Sequence, residues 1–147
     1  MMALTADNAH YEELMKIFIN ECKAAFGKQL LLFQNADEKF MHDFYTMSDI
    51  FVLTSNRESF GRTLIEAMAK YTVVFGTDSG GVPDVIGNED YLFSVGDDQQ
   101  VCTKIEKLVK KPEQIEKIKK YFHRYALNNF SVENLKKSLY NLYIHLR

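Results

Sequence analysis

The chain has 147 residues, 46% of them apolar and 26% charged, with a formal net charge of −2. That length suits one compact domain with a full core, and the composition excludes collagen, coiled coil and bulk disorder. The near-neutral charge provides no global field that would draw the whole chain to nucleic acid or an anionic bilayer, so any anion site must be local.

Cys22 and Cys102 stand far apart with no metal-ligand spacing, and His10, His42, His123 and His145 are equally scattered. Idle thiols and no bound metal are expected. No stretch reaches the roughly 18 apolar residues of a membrane span, and the start of the chain lacks a charged region followed by an apolar core. A cytoplasmic protein is the expectation.

In chain order, Leu14, Ile17, Phe18, Cys22, Ala25 and Phe26 recur at steps of three and four, and Gly27 follows where a helix would stop. Leu30 to Phe33 is a short apolar run between turn residues, consistent with a strand buried on both faces. A second helix is predicted over Glu38–Met47, a strand over Ile50–Ser55, and a helix from Gly61 to Lys70. Thr72–Gly76 forms the next strand. The loop Thr77–Gly81 follows it, and Val82-Pro83 opens a short helical turn because proline suits the first helical position. Tyr91–Val95 is a fourth short strand.

Three helices complete the chain. Val101, Ile105, Leu108 and Val109 share one face of the first, which ends before Pro112. Ile115, Ile118, Phe122 and Tyr125 stripe the second. Leu135, Leu139, Leu142 and Leu146 stripe the third, after a Ser131 cap. Tyr121, Phe122, Tyr125, Phe130, Tyr140 and Tyr143 are expected to pack among helices. Continuous apolar strands alternating with helices predict an α/β fold, a doubly wound parallel sheet of Rossmann type, in a single domain covering residues 1–147.

Such folds bind ligands beyond the carboxyl ends of their strands, where free N–H groups at the next helix favour an anion. Ser55 to Gly61 precedes a helix containing Arg62, Thr63 and Glu66. Gly61 permits close backbone approach, and the carboxylates of Glu58 and Glu66 flank the anion cradle. Carboxylates repel phosphate but accept hydrogen bonds from hydroxyls, so their clients would be the polyol parts of a sugar nucleotide. On spacing alone a second reading stands equally: Glu58 favours the helix N-terminus electrostatically and Glu66 is a solvated or ion-paired helix residue. The loop Asp78–Pro83 reads first as a tight connection. Neither a Gly-x-Gly-x-x-Gly fingerprint nor a Gly-Lys-Ser/Thr phosphate loop is present.

Taken together, Ser48–Ser55, then Glu58-Ser59-Phe60-Gly61, then Leu64–Ala69 with Glu66-Ala67-Met68, then Thr77–Asp84 and Leu92–Asp97 follow one another in an order that resembles the C-terminal half of family 4 glycosyltransferases, the group 1 set with the GT-B fold. The resemblance implies retaining transfer from a GDP- or UDP-sugar, without a bound metal or other cofactor, with the donor between two Rossmann-like domains. It assigns Glu58 to the donor sugar in the catalytic position, and Ser59, Phe60, Gly61, Arg62 and Thr63 to the sugar and diphosphate, chiefly through backbone N–H groups. Glu66 is assigned to the ribose hydroxyls, and the backbone near Ala36 to the base. The leaving diphosphate would help remove the acceptor proton, so stabilising its charge carries much of the catalysis.

The parent enzyme implied is a hexosyltransferase, mannose being the sugar suggested. It would build surface glycan such as lipopolysaccharide or capsule on a glycan or glycolipid acceptor held by an N-terminal domain, and would associate peripherally with the inner face of the membrane. Tyr71 and Val73 stand where the family carries glycine and proline. The family's domain opens with a further strand and a basic diphosphate clamp that this sequence is expected to lack, so the chain alone is expected to be inactive. A GT-B-like sugar-nucleotide epimerase and a non-catalytic α/β binding module are the alternatives.

Overall fold

Residues 2–4 and 9–145 are described by the computed structural model. They form two compact units, the first ending at Met41 and the second beginning at His42. Every described strand pairing is parallel, as expected where helical crossovers separate apolar runs.

The first unit contains β1 (Met2–Leu4), α1 (Ala9–Phe26), a 3₁₀ turn over Gly27–Gln29, and β2 (Leu32–Gln34). β1 lies beside β2 with Met2 opposite Leu32, and three residues are too few to have shown as a period in the sequence. β2 starts later than Leu30 because Leu30 closes the 3₁₀ turn, its N–H donating to the Gly27 carbonyl. The expected apolar stripe of α1 is only partly used: Cys22 is buried, whereas Ile17, Phe18, Ala25 and Phe26 are exposed. Strands of three residues extend about 10 Å, and a helix of 18 residues about 27 Å, so this small sheet covers a fraction of the helix. Leu14 and His10 lie outside the residues whose side chains are described. α2 (Glu38–Met47) begins with Asp37 as its cap, the Asp37 carboxylate accepting from the Phe40 N–H at 2.7 Å.

The second unit holds β3 (Ile50–Leu53), α3 (Arg62–Ala69), β4 (Val73–Thr77), α4 (Val82–Ile86), β5 (Leu92–Phe93), α5 (Asp98–Val109), α6 (Pro112–Phe130) and α7 (Val132–His145). Its strands run in the order β3-β4-β5, with Ile50 opposite Val73 and Gly76 opposite Leu92. As the middle strand, β4 is buried along its whole length. Leu64, Ala67 and Met68 of α3, Val82, Val85 and Ile86 of α4, and Phe122 and Ala126 of α6 complete the core. Lys119 of α6, its side chain 14% exposed, bonds the Asp49 carboxylate at 2.6 Å and so ties α6 to the start of β3.

Two expectations need correction here. The strand read over Tyr91–Val95 shrinks to Leu92–Phe93, because Tyr91 belongs to a 3₁₀ turn and the Ser94 N–H donates to the Gln100 side chain at 2.8 Å instead of a ladder partner. The stripe of α7 is not core: Leu135, Leu139 and Leu142 are all more than half exposed, as are Tyr140 and Tyr143. As the last element of the sequence order, α7 leans on α6 alone among the described elements with substantial contact. Leu146 lies outside the described residues. The Ser131 cap is as expected, its hydroxyl accepting from the Asn134 N–H at 3.3 Å.

Candidate functional site

β3 and β4 are parallel neighbours, so the loops leaving their carboxyl ends, Thr54–Gly61 and Asp78–Gly81, emerge side by side. Gly61 ends the first loop in the left-handed region at φ 86°, where a side chain would be strained and would press on Leu64 Cδ1 at 3.1 Å. α3 then begins with the Arg62 and Thr63 N–H groups, which by helix geometry have no carbonyl within the helix to bond. These are the donors an anion would use.

Glu58, half-buried, turns its carboxylate back onto this turn and accepts from the Gly61 N–H at 3.2 Å. Glu66 lies one turn into α3. Its Oε1 accepts from Arg62 Nε at 2.9 Å, an i,i+4 pair in which the Arg62 side chain is 79% and the Glu66 side chain 38% exposed. Of the two readings left open by spacing, the local one is therefore occupied in both cases: one carboxylate caps the turn and the other forms an ion pair. Both contacts are solvent-accessible and individually weak, so hydroxyl donors can compete for the same oxygens.

Ser59 and Phe60 are exposed on the loop, and the Phe60 ring meets the edge of Phe130 at 6.1 Å. Thr63 is half-buried with its hydroxyl oxygen fully enclosed and without a hydrogen-bond partner. Thus Glu58, Ser59, Phe60, Gly61, Arg62, Thr63 and Glu66 are brought together on one loop and the first turns of one helix. Ala36 belongs to the first unit, in the connection between β2 and α2.

The glycine loop proves to be more than a connection. The Gly81 N–H donates to the Glu58 carbonyl at 2.9 Å, the Ser79 hydroxyl to the Asn56 carbonyl at 2.9 Å, and the Thr77 hydroxyl to the Ser55 carbonyl at 2.6 Å. A Cβ on Gly80 would overlap the Glu58 carbonyl oxygen, and one on Gly81 would stand 2.5 Å from the Ser59 carbonyl oxygen. The second loop is a brace whose backbone touches the backbone of the first. Sequence reasoning had these residues in register but without a task, because their partners lie more than twenty positions upstream.

Tyr45 was not singled out either. It is 2% exposed, on α2, with its hydroxyl enclosed and without a partner at hydrogen-bond geometry. Burial, then the charge and hydrogen-bonding capacity of the Glu66 carboxylate, push its phenol well above the ordinary range, against a smaller opposing effect of Arg62. The carboxylate is thus close enough to act on the phenol although no well-aligned bond closes between them. Its only sequence signal was an aromatic in an amphipathic helix.

An open hollow of about 560 Å³, lined in part by Asp78, Asp84, Glu89, Gln100 and Lys104, shares no lining residue with the Glu58–Glu66 group. There the Lys104 ammonium donates to the carbonyls of Glu89, Asp90 and Leu92, which makes it a clamp on the 3₁₀ turn. Among the described residues no group of three or more His, Cys, Asp or Glu side chains is placed to hold a metal, and no helix is long and apolar enough to cross a membrane. Cys22 and Cys102 are free thiols, the first buried and the second exposed.

Comparison with known proteins gives this arrangement a context. The model of the family described as glycosyl transferases group 1 matches residues 11–124. N-acetyl-alpha-D-glucosaminyl L-malate synthase of Bacillus anthracis is 45% identical over 69 residues, covering 46% of this chain and 18% of that protein. Sulfoquinovosyl transferase SQD2 of Arabidopsis thaliana is 32% identical over 113 residues, covering 74% of this chain and 21% of that protein. The chain therefore spans about a fifth of the length of these relatives.

Among solved structures, the C-terminal domain of the group 1 family glycosyl transferase LpcC from Francisella tularensis superposes with a TM-score of 0.76 at 25% identity, over 85% of this chain and 66% of that one. Anabaena HepE in complex with UDP-glucose superposes with a TM-score of 0.78 over 97% of this chain and 40% of that one. At 16% identity the HepE likeness speaks to the fold, which is α/β and shared with GT-B glycosyltransferases. With more than half of its residues matched by the family model, the chain belongs to the group 1 glycosyltransferases.

Proposed function

We propose that the second unit grips a nucleoside-diphosphate sugar, and that the parent enzyme transfers a hexose from it to a glycan or glycolipid acceptor with retention of configuration. The observation that carries the reading is the pair of carboxylates, Glu58 and Glu66, on either side of the unpaired Arg62 and Thr63 amides at the start of α3. In this reading the diphosphate sits at those amides and at the backbone of Ser59, Phe60 and Gly61, where the helix dipole favours negative charge. Glu58 leaves the Gly61 N–H to accept from the donor sugar hydroxyls, in the catalytic position. Glu66 takes the ribose diol, since a carboxylate offers about four lone-pair sites and can receive two hydroxyls besides an existing donor. The backbone near Ala36 faces the base.

A UDP-glucose complex of the similarly folded HepE supports a nucleotide-sugar donor. Mannose as the sugar, GDP or UDP as its carrier, a lipopolysaccharide or capsule acceptor and a peripheral place on the cytoplasmic face of the membrane complete the proposal. The chemistry asked of these residues is stabilisation of the leaving diphosphate, which in turn takes the acceptor proton on the same face. The chain alone, spanning a fifth of its relatives, should bind donor without transferring sugar.

The test is titration of the chain with UDP, GDP and their sugars by NMR, repeated with Glu66→Ala. One nucleotide should be preferred, and the substitution should weaken it at least about tenfold, the value of a lost charge-assisted hydrogen bond or two. No binding at millimolar concentration, or equal binding by wild type and variant, overturns the reading.

A further inference from the structure

Tyr45 is placed as a core residue and yet carries a polar atom the core does not use. Its backbone carbonyl accepts from the Thr72 hydroxyl at 2.8 Å, and its ring meets Phe51 edge-on at 5.4 Å and Phe44 at 6.1 Å. Ring and backbone are thus fixed from three sides, and a phenylalanine would fill the same space. A buried hydroxyl without a partner is destabilising, so its presence asks for an acceptor. The Glu66 carboxylate is the acceptor that acts on it. Thr63, three positions before Glu66 and hence on the same helical face, encloses a second hydroxyl without a partner.

Glu66 itself is held on its other side by Arg62, through a side chain 79% exposed to water. The carboxylate therefore has one mobile partner at the surface and one rigid neighbour beneath it. We propose that Tyr45 is a positioning residue for Glu66: its enclosed hydroxyl donates to the carboxylate and sets the two oxygens to receive the vicinal hydroxyls of the nucleotide's ribose. The proposal rests on the assignment of Glu66 to the ribose. It differs from a packing role in one respect: removing the oxygen of Tyr45 alters which nucleotides bind without loosening the fold.

The chain is titrated with uridine and guanosine diphosphates and with their 2′-deoxy counterparts, as wild type, Tyr45→Phe, Glu66→Ala and the double variant, alongside thermal melts. Tyr45→Phe should melt at or above the wild-type temperature, because the ring stays and an unpaired buried hydroxyl goes. Its Kd for the preferred ribonucleotide should rise about tenfold, and the preference for ribo over 2′-deoxyribo should fall towards one. On top of Glu66→Ala it should change neither. If Glu66→Ala weakens binding while Tyr45→Phe leaves both Kd and the ribo preference intact, or if the effect of Tyr45→Phe persists without Glu66, the positioning role is wrong and the ribose assignment stands. If Glu66→Ala has no effect, the ribose assignment falls and the role of Tyr45 falls with it.

Discussion

The two ends of β4 are held in opposite ways. At its carboxyl end the chain is fixed by backbone against backbone: Gly80 and Gly81 lie on the carbonyls of Glu58 and Ser59, with only the Thr77 and Ser79 hydroxyls adding side-chain bonds. At its amino end the anchors are mostly side chains. The Thr72 hydroxyl reaches the Tyr45 carbonyl at 2.8 Å, Tyr71 stacks on His123 at 3.7 Å, and Lys119 bonds Asp49, whose carbonyl also accepts from the Val73 N–H at 3.0 Å. Backbone contact leaves no room for a side chain, whereas side-chain anchors can be exchanged for others. This explains why the sequence keeps the glycines of the carboxyl end but departs from the family pattern at Tyr71 and Val73.

The sharpest break of that contrast is Gly80→Ala. The new Cβ would overlap the Glu58 carbonyl oxygen, and φ is +58°, so both space and backbone conformation oppose it. Loss of about 3 kcal/mol or more is expected in denaturant unfolding, in the range of overpacking combined with left-handed strain. Gly96→Ala is the control, since its φ is +79° but nothing lies within 4 Å. It should cost about 1 kcal/mol, the strain alone. Equal losses at the two positions would show that the close approach to Glu58 is not what holds the loop.

Much of this architecture was legible and some was not, for definable reasons. Ile50–Leu53 and Val73–Thr77 announced themselves as continuous apolar runs because parallel strands are buried on both faces. Glu58 and Glu66 were visible because eight positions across a strand-loop-helix junction is local information. β1 was too short to carry a period, and the leucine stripe of α7 reported amphipathicity without naming a partner. Tyr45 and the glycine brace stayed hidden because each acts on a residue about twenty positions away or more, and periodicity says nothing about such pairs.

Alkaline pH should distinguish the two ends by a smaller effect. The hydrogen bond to Asp49 raises the Lys119 ammonium above its ordinary value of 10.5, against the opposing effect of burial, and Tyr45 is raised from 10.0 mainly by burial. In both cases the folded chain holds the proton more tightly than the unfolded chain. The stability they contribute is complete below about pH 10 and is lost as pH rises through the raised values. The anchors at the carboxyl end are backbone groups and hydroxyls of Thr77 and Ser79, which do not titrate there. Unfolding free energy should thus fall from about pH 10 upward, and Lys119→Met should remove about 1 kcal/mol of the neutral-pH value, the worth of a pair whose Asp49 side is open to solvent. It should also flatten part of the alkaline slope; an unchanged slope would mean that the Lys119 bond adds nothing to the anchoring of the amino end.

The smallest expected effect is the most informative about the departure from the family pattern. Tyr71 sits at φ 60°, a conformation in which a side chain costs about 1–2 kcal/mol and glycine costs nothing. Its ring is only 15° from parallel to His123, and His123 Nδ1 lies 2.9 Å from the Ala69 carbonyl at the end of α3. A stacked pair contributes about 0.5–1.5 kcal/mol beyond area burial, so the stack offsets most of the strain. Tyr71→Gly should therefore change stability by less than about 1 kcal/mol in either direction, relief and loss nearly cancelling. The cancellation is exposed by His123→Ala. In the wild type it should cost about 1 kcal/mol, and in the Tyr71→Gly background almost nothing, because the ring it packed against is gone. Additive losses would mean that the stack does not compensate the turn. The Val73 N–H, which a proline would lack, would then be left as the anchor that keeps the amino end of β4 in register.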